Sequence, residues 1–339
     1  MTPRPTVRRL ALGLVAVLAL AVPAACSSDG TESASGGELR RFTVVLDWTP
    51  NTNHAGMYLA QAEGWYADAG LDVQFVEPGE TSSLQALAAG RADVAVSVAE
   101  ELLPARAEGL PVRSIAAVIE HNTSSLVSLA SDDITEPADL EGATYGGFGG
   151  QLEEAILSAL IECDGGDPDA LRLVDVGEAD YRIGLERDQY DVVWIFDGWD
   201  GIRLDQADVA TNSIPFIDHT DCIPDWYTPI LATSDDVEAE RPEDLAAFVD
   251  ATARGYRAAM DAPSAAADAL LTGAPDLDED LVTASADYLS TRYADDPAAW
   301  GRQEPEVWER FADFLDEAGM LSEPVDVDQA FTNEYLPSS

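Results

Sequence analysis

Leu46-Asp47-Trp48-Thr49-Pro50-Asn51-Thr52-Asn53-His54-Ala55-Gly56-Met57-Tyr58-Leu59-Ala60-Gln61-Ala62-Glu63-Gly64-Trp65-Tyr66 is the stretch whose reading decides the fold. Just ahead of and into it, Phe42 to Leu46 is an unbroken apolar and β-branched run, the pattern of a strand buried on both faces. Pro50 and two Asn punctuate its end. Ala55, Tyr58, Leu59 and Ala62 then recur at helical spacing, Asn51 or Asn53 is in place as N-cap, and Gly64 stands where a helix stops. Polar groups, an aromatic ring and free helix N–H donors therefore converge where a parallel strand ends. Open α/β sheets place their ligands there.

Outward from this unit, strands at 42–47, 71–77, 93–98 and 112–119 alternate with helices at 53–63, 81–89 and 99–108. Such alternation predicts right-handed βαβ units and a parallel sheet. Strand-like residues 125–130 carry the chain out of the first unit. A second α/β unit follows, with strands at 143–145, 171–176, 191–196 and 214–217 and helices at 152–162 and 180–188. Residues 230–233 read as the return crossing. From 242 to 319 the chain is almost wholly helical, with Pro263, Pro275 and Pro297 separating amphipathic segments that are expected on the outer faces of the first unit. The sum is an α/β chain of two lobes joined by two crossings, lobe I over 40–126 plus 232–339 and lobe II over 127–231, with the ligand in a hinged cleft between them.

The 339 residues suffice for two domains with full cores. Sixty-four acidic residues against 18 basic ones give a formal charge of −46, and every basic residue is Arg, for the sequence holds no Lys. That field repels nucleic acid and anionic lipid, so neither is an expected partner. Residues 1–25 read as an export signal: basic Arg4, Arg8 and Arg9, an apolar run from Leu10 to Val22 too short to span a bilayer, and the small residues Ala24-Ala25. Cys26 directly after that site marks a bacterial lipoprotein, cleaved before Cys26 and acylated on it. Residues 26–39, rich in Ser, Gly and Glu, form a flexible tether, which places the folded chain at the outer face of the cell membrane.

The opening stretch and four later motifs carry a family resemblance. They are Ala89-Gly90-Arg91-Ala92-Asp93-Val94-Ala95, Gly146-Gly147-Phe148-Gly149-Gly150-Gln151-Leu152-Glu153-Glu154, Trp194-Ile195-Phe196-Asp197-Gly198-Trp199-Asp200-Gly201 and Tyr227-Thr228-Pro229. Over roughly 40–232 the chain resembles the substrate-binding proteins of ABC importers for the thiamine pyrimidine precursor, in a superfamily shared with thiamine pyrimidine synthases and sulfonate-binding proteins. The resemblance implies a two-lobed, periplasmic-binding-protein-like (type II) hinged fold. It also implies a small heteroaromatic ligand, an ABC permease and its ATPase as partners, a monomer, and no cofactor. Trp48, Asn51, His54, Ser82, Ser97, Gly147, Gly149, Trp194, Trp199, Asp200 and Tyr227 are the candidate ligand-binding residues.

Residue chemistry weighs these candidates. A flat heteroaromatic ring is best held between aromatic faces, each contact contributing about 0.5–1.5 kcal/mol beyond burial, which favours Trp48, Trp194 and Trp199 at strand ends. Trp65, Trp300 and Trp308 lie on helical faces and read as packing. Asp47, Asn51, Asn53 and His54 either cap and support the turn or face the ligand. Asn51 and Asp200 together offer the amide and carboxylate that an aminopyrimidine edge needs; related proteins usually carry Glu at the latter position. Ser82 sits in Thr81-Ser82-Ser83, which caps a helix or holds a polar substituent. The glycine run 146–150 lacks the third glycine of a dinucleotide fingerprint, and reads as close backbone approach to a ligand without a nucleotide. His54, His121 and His219 are dispersed, and no Cys or His spacing suggests a metal site. With Cys26 spent on lipid, Cys163 and Cys222 form a candidate disulfide. Two alternatives stay open. One keeps the importer with riboflavin, a sulfonate or another small heterocycle as cargo. The other is a synthase-like enzyme, disfavoured because such enzymes hold pyridoxal phosphate on a Lys and carry a Cys-rich iron motif, and this chain has neither.

Overall fold

A computed structural model describes residues 38–177 and 181–337. The expected signal, Cys26 and nearly all of the tether lie outside the described residues. The first lobe opens with β1 (Arg40–Val45), α1 (Ala55–Ala62), α2 (Trp65–Asp68), β2 (Leu71–Val76), α3 (Ser83–Ala88), β3 (Val94–Ser97), α4 (Ala99–Ala107) and β4 (Val112–Ala117). Residues 118–123 cross to the second lobe. That lobe holds β5 (Ser124–Leu129), β6 (Thr144–Gly147), α5 (Gln151–Cys163), β7 (Arg172–Asp175), α6 (Tyr181–Glu186), β8 (Val192–Phe196), α7 (Ile202–Gln206) and β9 (Thr211–Pro215). Residues 216–229 cross back to β10 (Ile230–Ser234). Then come α8 (Asp235–Glu240), α9 (Pro242–Asp261), α10 (Pro263–Gly273), α11 (Glu279–Leu289), α12 (Pro305–Glu317) and α13 (Val327–Ala330).

Each lobe is built on one sheet, ordered β2-β1-β3-β10-β4 in the first and β7-β6-β8-β5-β9 in the second. Both are mixed rather than parallel. β1 runs parallel to β2 and β3, whereas β10 is antiparallel to β3 and β4; β5 is likewise antiparallel to β8 and β9. The exceptions are the two strands that enter directly from a crossing, without the helical connection that keeps successive strands parallel.

β1 is covered on both faces, as its composition requires. Phe42 and Val44 join a cluster with α1, α9, α10 and α11, while Val45 faces a second cluster with Leu84 and Leu87 of α3. Each such burial contributes about 1.5–3 kcal/mol. α1 and α9 touch at glycines, where a methyl group on Gly255 would stand 2.1 Å from the Gly56 carbonyl oxygen. α12 departs from the expectation that the C-terminal helices cover only the first lobe. Its face of Trp308, Phe311 and Leu315 packs also on the second crossing, where Phe311 stacks on Trp226 with centroids 5.1 Å apart. Phe216, Ile223 and Trp226 of that crossing need the cover themselves. Cys163, at the end of α5, is bonded to Cys222 of the same crossing, with an S–S distance of 2.05 Å.

Candidate ligand-binding cleft

A cavity of about 510 Å3 opens where β1, β3 and β8 end. From the β1–α1 connection it takes Asp47, Trp48 and Asn51, and from the start of α3 it takes Ser82. Ser97 closes β3, and Glu101 projects from the first turns of α4. The second lobe contributes Phe196, Trp199 and Asp200, and the crossings add Thr123, Thr228 and Pro229.

The Asn51 turn is rigid because four separate groups hold it. The Asn51 side chain accepts from the Asn53 backbone N–H at 2.9 Å, capping the turn Thr52–His54 that leads into α1. Tyr256 Oη of α9 donates to the Asn53 carbonyl at 2.7 Å, and Tyr293 Oη donates to that of Thr52 at 2.6 Å. His54 is buried beneath. Its Nδ1 accepts from the Asn51 N–H at 3.2 Å, so the proton sits on Nε2, which donates to the Asp47 carboxylate at 2.8 Å. His54 therefore does not line the cavity; it positions the two residues that do.

Indoles enter from both lobes. Trp48 is 54% exposed on the first lobe, and Trp199 is half-buried on the π-type turn Asp197–Gly201 after β8. That turn is docked on α11, where Ser285 Oγ donates to the Gly198 carbonyl. The polar side of the cavity carries Asp47, Glu80, Glu101 and Asp200, and no Arg, Lys or His lines it among the described residues. Burial in the wall and then the charge of Asp47 hold the Glu101 carboxyl above its ordinary value. Asp200 lies 3.9 Å from Arg203, at the edge of a neighbouring cavity. Ser97 is 1% exposed and its Oγ has no protein partner, leaving a hydroxyl in the wall ready for one.

Six of the eleven sequence candidates meet here: Trp48, Asn51, Ser82, Ser97, Trp199 and Asp200. Ser82 also caps α3, accepting from the Gln85 N–H at 3.3 Å. The others lie elsewhere for identifiable reasons. Trp194 lies one pleat inward from Phe196 and is spent on the core, edge-on to Phe216 at 4.7 Å and Trp226 at 6.1 Å. Tyr227 packs on Trp308, and its hydroxyl accepts from the Glu304 N–H at 2.8 Å. Gly147 packs against the Glu153 carboxylate, and it and Gly149 line a separate small cavity with Glu153 rather than the cleft. The N–H groups of Phe148 and Gly150 and the hydroxyl of Tyr145 all donate to Glu153, so the loop's donors serve its own helix. Glu153 three residues after Gly150 is capping-box spacing, and that signal was present in the sequence. Sequence reasoning missed Glu101 and Thr123, which lie in no recognisable motif.

This is the two-lobed fold of periplasmic binding proteins. The periplasmic aliphatic sulphonate binding protein SsuA from Escherichia coli superposes with a TM-score of 0.68 over 88% of this chain and 94% of its own, at 15% identity. Residues 51–266 match the family described as NMT1/THI5 like. The formylaminopyrimidine-binding protein of Halalkalibacterium halodurans is 30% identical over 94% of this chain and 96% of its own length. The chain belongs to the NMT1/THI5-like family. The riboflavin-binding protein RibY of Chloroflexus aurantiacus is 27% identical over 97% of this chain and 98% of its own.

Proposed function

We propose that the protein is the extracytoplasmic solute-binding component of an ABC importer, tethered through an acylated Cys26, and that its cargo is an aminopyrimidine precursor of thiamine. The observation that carries the cargo reading is the cleft itself: an indole from each lobe beside an edge of carboxylates, an amide and an unpaired hydroxyl, with no basic lining residue among those described. Trp48 and Trp199 stack on the ring, Asn51 and Asp200 meet its nitrogens and exocyclic amine, and the lobes close over it before delivery to the permease. A sulfonate would face four carboxylates with no basic side chain in the lining to meet it, at a cost in desolvation that the cleft does not offset. Binding, not chemistry, is the activity. The sequence has no Lys for a pyridoxal phosphate Schiff base, and two of its three cysteines are joined to each other.

A second cargo, riboflavin, is supported by the likeness to RibY over almost the full chain. Titration calorimetry with formylaminopyrimidine, hydroxymethylpyrimidine, riboflavin and taurine separates the readings. Micromolar binding of a pyrimidine is expected; no pyrimidine heat with micromolar riboflavin transfers the cargo and keeps the class. A Cys26→Ser chain is expected to leave the detergent phase, and its retention there would refute the lipid anchor.

A further inference from the structure

The first crossing carries a side-chain cluster that the ligand cleft does not use. One donor atom each from Glu120, His121 and Asp295 lie within 4.8 Å of one another. Glu120 and His121 belong to the crossing, and Asp295 to the loop after α11. His121 Nδ1 is 2.6 Å from the carboxylate of Asp225, on the second crossing, and the other oxygen of Asp225 accepts from the Asn122 N–H at 2.9 Å. With Nδ1–H donated to an anchored carboxylate, Nε2 is the nitrogen on the side of Asp295, whose Oδ2 is 3.9 Å away. An imidazole oriented in this way through its other nitrogen is the arrangement that metal-ligating histidines use.

The cluster borders a further cavity. His121 and Asp295 edge a cavity of about 330 Å3, and two other residues of its wall, Asn122 and Ser124, are only 3% and 1% exposed. Asn122 Nδ2 and Ser124 Oγ have no partner in the protein. Arg292, the cation of the same cavity, is engaged with the carbonyl and ring of Tyr288. The chain's charge of −46 raises the local concentration of divalent cations further.

We propose that Glu120, His121 and Asp295 bind a divalent transition-metal cation, with Zn2+ as the best fit. One imidazole with two carboxylates suits a borderline cation better than Ca2+ or Mg2+, which prefer oxygen alone. Zinc takes such donors at about 2.0–2.2 Å, so the two carboxylates would draw in on binding, Glu120 from the Asp295 N–H that it accepts from at 2.5 Å. Bound there, the cation links the first crossing to the loop after α11 and, through His121 and Asp225, to the second crossing. It therefore fastens the hinge at a site separate from the cargo. Asp295 stands more than 170 positions from Glu120 and His121, so no spacing motif reveals the set.

The test is calorimetric titration of metal-stripped mature protein with ZnCl2, alongside thermal denaturation with ZnCl2 or CaCl2. One equivalent of Zn2+ with micromolar affinity and a raised Tm are expected. Asp295→Asn should keep the wild-type Tm in EDTA, and both it and His121→Gln should lose tenfold or more in Zn2+ affinity. Visible absorption of added Co2+ should likewise weaken in His121→Gln. Undiminished binding in both variants, no saturable binding below millimolar Zn2+, or an equal Tm gain with Ca2+ would each overturn the site.

Discussion

Two acids near the cleft show how place, rather than residue type, sets behaviour. Asp200 faces the proposed ring edge, and Trp199 beside it offers a face, so their losses should differ. Trp199→Ala is expected to weaken every flat heterocycle that binds, by about 0.5–1.5 kcal/mol or more as burial is lost too. Asp200→Asn keeps the shape and mispairs the amine, at about 1–3 kcal/mol, so an analogue lacking the amine should bind both forms alike. A larger penalty for that analogue than for the amine would place Asp200 away from the ring. Glu100, one residue before the cleft's Glu101, lies beneath Thr228 and accepts from Trp226 Nε1 at 3.1 Å and from Thr228 Oγ1 at 3.4 Å. Burial pushes its carboxyl up to about 8. Between the ordinary 4.5 and that value the folded chain keeps a proton that the unfolded chain releases. Stability from this group is therefore full below pH 4.5 and declines as pH rises toward 8. Denaturation at pH 5.5 and 8 should show Glu100→Gln losing less across the interval, by on the order of 1–3 kcal/mol; an unchanged slope would mean that the carboxyl is ionised throughout.

At the scale of elements, what the sequence revealed was local. The strand and helix flanking Asp47 to His54 were legible because apolar periodicity, Pro50 and the Asn caps all act within a few residues. The placement of Trp194 and Tyr227 was not, since it depends on Phe216 and Trp308 arriving from distant segments. The glycine loop was ambiguous because its donors look equally free whether a ligand or Glu153 takes them. The crossing of α1 and α9 is similar: Gly56 and Gly255 look unremarkable in sequence, yet they set how closely the two helices approach. Gly255→Ala places a methyl 2.1 Å from a backbone oxygen and must push α9 outward. A loss of about 1–3 kcal/mol is expected in chemical denaturation, with weaker cargo binding as Tyr256 loses its hold on the Asn53 turn. Wild-type stability in this variant would show that the helices part without cost.

Over the whole molecule, the disulfide closes a span of 59 residues that includes most of the second lobe. In the chain-entropy treatment that loop contributes about 4 kcal/mol by restricting the unfolded chain. The Cys163→Ser, Cys222→Ser pair should therefore unfold at lower denaturant with the same native spectrum, and an unshifted midpoint would show that the bond adds nothing to stability. The two-lobed plan was readable from the alternation of strands and helices, but not the antiparallel entry of β5 and β10, because the direction in which a chain returns leaves no mark on composition.

The same bond makes the two connections mechanically unequal. Residues 216–229 are clamped, by sulfur to α5 and by the Trp226–Phe311 stack to α12, so this segment resists bending along its length. Residues 118–123 have no covalent tie of that kind. With the Glu120–His121–Asp295 site empty, torsional compliance is therefore concentrated in the shorter connection, and the lobes should turn about an axis displaced toward it, like a panel hung on one stiff and one yielding leaf. Spin labels spanning the cleft far from that axis are expected to report large changes of distance, and labels astride residues 118–123 small ones.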